Sequence, residues 1–97
     1  MKKMFFAAVV TLVSVTVAHA FDTNAYCSKV SDSIGGSYQI EMACRQQEKI
    51  AESALSRTSI PARVESYCRK VAESIGGSYQ IMDACVSQEL SAKSKLH

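Results

Sequence analysis

Displaced by forty-one residues, the chain lies on itself. Ser33-Ile34-Gly35-Gly36-Ser37-Tyr38-Gln39-Ile40 returns residue for residue as Ser74-Ile75-Gly76-Gly77-Ser78-Tyr79-Gln80-Ile81. Tyr26-Cys27 returns as Tyr67-Cys68, Ala43-Cys44 as Ala84-Cys85, and Gln47-Glu48 as Gln88-Glu89. Between Tyr26 and Leu55, nineteen of thirty positions are identical to their partners between Tyr67 and Leu96. Self-similarity at a fixed period means one supersecondary unit used more than once, so whatever one half folds into the other must fold into also. Two copies make a paired module, too few for a solenoid.

Inside one copy the periodicity is helical. Tyr26, Val30 and Ile34 recur every four residues, with Cys27 beside them. Beyond the glycines, Ile40, Cys44, Gln47, Ala51 and Leu55 follow at spacings of four, three, four and four. The second copy repeats the pattern with Tyr67, Val71 and Ile75, then Ile81, Cys85, Gln88, Ala92 and Leu96. No segment alternates as a half-buried strand would, so the expected class is all-α. The glycine pairs, Gly35-Gly36 and Gly76-Gly77, are the expected turns, because glycine tolerates the left-handed backbone that ends a helix. Ser37 and Ser78 can then cap the helix that follows. The spacing fits no phosphate-cradling pattern. The first helix of copy one is expected over 22–34 and the second over 38–57. Arg57-Thr58-Ser59-Ile60-Pro61 breaks the helix between copies, since Ser or Thr shortly before Pro marks a helix start. The expected divisions are residues 21–57 and 58–97, one hairpin each.

Four cysteines allow three pairings, and composition alone does not choose. The hairpin does. Cys27 and Cys44 have their midpoint between Gly35 and Gly36, and Cys68 and Cys85 between Gly76 and Gly77. Residues equidistant from the turn of an antiparallel hairpin sit side by side, near the ~5.5 Å Cα separation a disulfide needs. The expected bridges are therefore Cys27–Cys44 and Cys68–Cys85. The second helix outruns the first, which leaves Ile50, Ala51, Ala54 and Leu55 to pack on the other hairpin or on a second chain.

The first twenty residues read as a secretory signal. Lys2 and Lys3 precede an apolar run from Met4 to Val17, and Ala18-His19-Ala20 is a small-x-small cleavage site. The run falls short of the ~20 residues a bilayer crossing needs. Cleavage would release a chain beginning at Phe21, in the periplasm or outside the cell, with no membrane attachment. Removing Lys2 and Lys3 from eleven Lys and Arg leaves nine, against nine Asp and Glu, so the remainder carries no formal net charge. Such a chain offers no basic stripe for nucleic acid. An oxidising address also suits the even cysteine count, and a small core leans on disulfides.

Chemistry-bearing constellations are few. Redox catalysis would call for Cys-x-x-Cys, whereas sixteen residues separate the cysteines of each pair. A four-thiolate zinc site would need both hairpins to converge in a compartment that oxidises thiols. Of the two histidines, His19 leaves with the signal and His97 is the last residue, so no Ser-His-Asp triad can assemble. Glu48 and Glu89, kept in both copies, could face each other as a glycosidase pair. The plainer expectation puts them on a solvated helix face among Lys49 and Glu52. Tyr26, Tyr38, Tyr67 and Tyr79 are expected as core or half-core rings with wet hydroxyls. No catalytic residue, cofactor or metal site is expected.

The unit Tyr-Cys-x7-Gly-Gly-Ser-Tyr-x5-Cys resembles that of a group of small exported proteins of Gram-negative bacteria, which carry one or more such segments. The resemblance covers both copies and implies an address without a mechanism. The leading expectation is an exported, non-enzymatic protein acting through contact with a protein partner. The alternatives are a periplasmic thiol–disulfide enzyme using the four cysteines, and a stress chaperone or inhibitor of a secreted enzyme.

Overall fold

A computed structural model describes residues 20–96, so the expected signal lies outside the described residues except for Ala20. Four helices follow in order: α1 (Thr23–Ser33), α2 (Tyr38–Ser56), α3 (Ala62–Glu73) and α4 (Tyr79–Lys95). The described residues contain no strand, and the fold is all-α.

Each Gly-Gly-Ser stops one helix and starts the next. Gly36 donates its N–H to the Ser31 carbonyl at 2.8 Å, and Gly77 donates to Ala72 at 2.9 Å. Such a closure over six residues takes up a carbonyl that the helix end leaves unpaired, and it needs left-handed backbone. Gly35 and Gly76, just before the donors, supply it, with φ of 103° and 106°. The serine hydroxyls then accept from the first free amides of the next helix. Ile40 donates to Ser37 Oγ at 3.2 Å and Ile81 to Ser78 Oγ at 3.3 Å. At the first helix, Asp22 takes the N–H of Ala25. Pro61 stands at the N-cap of α3, where its missing N–H removes an amide that would have no partner.

The helices pack as α1 on α2, α3 on α4, and α2 on α4. Cys27–Cys44 links the first pair across a Cα separation of 5.6 Å, and Cys68–Cys85 the second across 5.5 Å. Both bridges join the positions equidistant from their turns. Ala51 is buried and Leu55 half-buried, Leu55 packing on the core of the second hairpin as its overhang requires. Ile50, grouped with them from the sequence, turns its side chain to solvent instead.

The two copies share a backbone plan without sharing a core. Val64, Cys68, Ala72, Met82 and Val86 form the buried cluster of the second hairpin. Their counterparts in the first are Thr23, Cys27, Ser31, Glu41 and Arg45. Glu41 and Arg45 make an ion pair at 2.6 Å where the second copy buries Met82 and Val86. Ile34 and Ile75 also depart from the apolar stripe and lie exposed. Both follow the last helical residue, where the chain has already left the helix path that the spacing assumes.

The turn glycines differ in surroundings and so in what an added methyl would do. A Cβ on Gly36 would meet nothing within 4 Å, whereas on Gly77 it would stand 3.3 Å from Phe21 Cδ1. Gly36→Ala should therefore show only the left-handed strain, about 1–2 kcal/mol. Gly77→Ala should lower the melting temperature about twice as far as Gly36→Ala, the latter by roughly 4–8 °C. Thermal melts followed by circular dichroism compare them, and equal losses would show that Phe21 gives way freely.

Candidate docking groove

The joint between the copies is built around a carboxylate. Glu48 lies midway along α2, in register with Cys44, Ala51 and Leu55 on its inward face, and is fully buried. Its Oε1 accepts the Tyr79 N–H at 2.7 Å. Its Oε2 accepts the Ser78 hydroxyl at 2.6 Å, the Gln80 N–H at 3.3 Å and the Gln80 side-chain amide at 3.1 Å. An acidic side chain of the first copy thus caps the N-terminus of α4 in the second. Free N–H groups and the helix dipole both favour negative charge there, and bonds to an ionised acceptor are about twice as strong as neutral ones.

Around this cap the first copy forms a groove that the second copy's turn fills. Phe21 donates its N–H to the Tyr79 hydroxyl at 3.0 Å, and the two rings stack tilted with centroids 4.8 Å apart. The Arg69 guanidinium carbon stands 5.1 Å from the centre of the Phe21 ring, within range of a cation–π contact. Gly76 passes close enough that a Cβ there would lie 3.5 Å from Tyr26 Cδ1. Phe21, Tyr26 and Glu48 are the walls and Gly76 to Gln80 is the occupant, while Ala51 and Leu55 continue the same inward face of α2, Leu55 reaching the core of the second hairpin.

The second copy holds the same groove with nothing in it. Tyr67, Glu89, Ala92 and Leu96 stand at the positions of Tyr26, Glu48, Ala51 and Leu55. Together with Pro61, Arg63, Val64 and Lys93 they line an open cavity of about 570 Å³. Conversely, the first copy's turn, Gly35 to Gln39, has no groove around it. Tyr38 is 88% exposed where Tyr79 is 8% exposed.

Two expectations about these residues need correction. Glu48 is not on a solvated face beside Lys49; it is sealed inside the joint, because α4 starts where its side chain ends. It also does not face Glu89 across a cleft, since each belongs to its own copy's groove. A carboxylate in step with Cys44, Ala51 and Leu55 was the available signal. The tyrosines divide: Tyr79 is core, Tyr26 half-buried, and Tyr38 and Tyr67 exposed. Exposure follows the joint, because only one turn and one groove are used.

The cysteines are all bridged, and Cys27 and Cys68 have no solvent-accessible surface. Among the described residues no three His, Cys, Asp or Glu side chains converge as a metal cluster would. No described helix is long and apolar enough to cross a membrane. Compared with family models, curated proteins and solved structures, the chain matches none of them.

Proposed function

We propose that this is an exported, non-enzymatic binding protein, and that the open groove of the second hairpin is where it takes hold of a protein partner. The observation that carries this reading is the filled groove of the first hairpin. There Glu48 already accepts the first amides of a helix N-terminus, with Tyr26 against the turn that precedes it, so a groove of this kind can seat a protein segment. The signal at 1–20, the two disulfides and the resemblance of the repeat unit to exported proteins support the address. The bridges serve as staples in this reading, since bonded sulfurs, with Cys27 and Cys68 fully buried, offer no thiolate to a substrate disulfide.

A photo-crosslinking residue placed at Leu96, in the groove wall, should trap a protein adduct of discrete mass in intact cells. The same residue at Ile50, exposed and outside the groove, should trap none. Equal labelling at both positions, or none at Leu96, would overturn the reading. Turnover in an insulin-reduction assay would replace it with the thiol–disulfide enzyme.

A further inference from the structure

We propose that the partner is a second copy of this chain: molecules join head to tail, the first-copy turn of one seating in the second-copy groove of the next. The inference rests on the docking reading of that groove and names its occupant. The joint between the two copies inside each molecule serves as its template. There, a turn of sequence Ser-Ile-Gly-Gly-Ser-Tyr-Gln-Ile meets Tyr26 and Glu48, on a face that continues through Ala51 and Leu55. Each molecule presents one further copy of that turn, at 33–40, and one further copy of that groove, at Tyr67, Glu89, Ala92 and Leu96. Both stand open.

The polar half of the joint can be reproduced in full. Ser37, Tyr38 and Gln39 carry the same hydroxyl, amides and side-chain amide that Ser78, Tyr79 and Gln80 offer to Glu48. Gly35 and Gly36 hold the turn with φ of 103° and 84°, against 106° and 86° for Gly76 and Gly77, so the same backbone is presented. Glu89 would cap α2 of the neighbour as Glu48 caps α4.

The apolar half is reduced. Phe21, which packs on Tyr79, has Ala62 as its counterpart, and Met82 and Val86 have Glu41 and Arg45. Charge enters the groove as well: Lys93 lines it at the position of Glu52. The intermolecular joint is thus weaker and more polar than the internal one. Self-association falls in the range of a transient contact, with Kd on the order of 0.1 mM, and weakens as salt screens the charges. Turn and groove are different surfaces, so the contact is heterologous. It propagates as an open chain unless the rotation between molecules closes a ring.

Sedimentation equilibrium of the oxidised, signal-cleaved protein up to about 1 mM is the test. The weight-average mass should rise with concentration past that of a dimer. Tyr38→Ala removes the turn's anchor and Glu89→Ala removes the cap, and each should weaken association at least about tenfold. Melting curves should match the parent's, because Tyr38 is exposed and Glu89 half-exposed. The decisive sample is an equimolar mixture of the two variants. One keeps an intact groove and the other an intact turn, so they should pair with each other and stop at the dimer. A monomer at every concentration, or association indifferent to both substitutions, would overturn the proposal. If the protein is monomeric while Leu96 still crosslinks a different protein, the docking reading stands with another occupant. If Leu96 crosslinks nothing, both fall.

Discussion

Replacing all four cysteines with serine will leave the chain largely unfolded at 37 °C, and full reduction of the native protein will do the same. The reason lies in what is buried. The largest fully buried side chains are Glu48, Val86, Cys27, Cys68 and Ser78, so two of the five are bridge sulfurs and two are polar. An apolar core this thin, with Val64, Ala72 and Met82 as its other main members, leaves little surplus over conformational entropy. Each bridge joins cysteines 17 residues apart, which the chain-entropy model values at about 3 kcal/mol. Two of them are comparable to the ~5–10 kcal/mol of a small domain's whole stability. Cys27→Ser with Cys44→Ser should lower the melting temperature by about ten degrees or more. Cys68→Ser with Cys85→Ser should lower it further, because it also buries a hydroxyl among Val64, Ala72, Met82 and Val86. Far-ultraviolet circular dichroism during a melt, with and without reductant, reads all three. Helicity and melting unchanged by reduction would mean the bridges are not staples.

The fold was legible in the sequence because every local signal pointed the same way. Paired glycines followed by Ser in both copies located the turns, and the cysteines equidistant from them chose one pairing of three. The helix bounds expected over 22–34 and 38–57 agree with Thr23–Ser33 and Tyr38–Ser56 at the start of the second helix and differ by one residue at the other three ends. What the sequence could not show was which turn meets which groove. Periodicity assigns a face to each helix but not a neighbour, so identical residues such as Tyr38 and Tyr79 looked alike and finished at opposite extremes of exposure. Glu48 was misplaced for the same reason. A carboxylate on an inward stripe is costly unless donors meet it, and those donors belong to residues some thirty positions away. The substitutions that separate the copies carried more information than their identities. Glu41 and Arg45 against Met82 and Val86 mark the first turn as the one left facing water, much as terminal units of repeat proteins carry polar outer faces.

Glu48→Ala should be the most damaging substitution outside the cysteines. Removing the carboxylate strands the Ser78 hydroxyl and the Tyr79 N–H, both within a fully or nearly fully buried joint. A buried donor left without its partner costs about 1–3 kcal/mol, and more when the lost acceptor is charged. The cavity left by the side chain adds to this, so a total of roughly 3–4 kcal/mol is expected, a drop of about fifteen degrees or more in melting temperature. Glu48→Gln keeps the volume and should recover little. Donors approach both carboxylate oxygens, so one orientation or the other of the amide must turn an N–H toward an N–H or O–H. Glu89→Ala is the internal control, since the same residue at the same place in the second copy faces an open cavity and should shift melting by no more than about two degrees. The loss at Glu48 should be local first. Amide exchange at Tyr79 and Gln80, the first turn of α4, should accelerate ahead of α1, because the cap ties that turn to α2 while the Cys27–Cys44 bridge still holds the first hairpin. Glu48→Ala melting within about two degrees of the parent would show that the joint is held by Leu55 and its apolar neighbours alone, with the buried carboxylate a passenger.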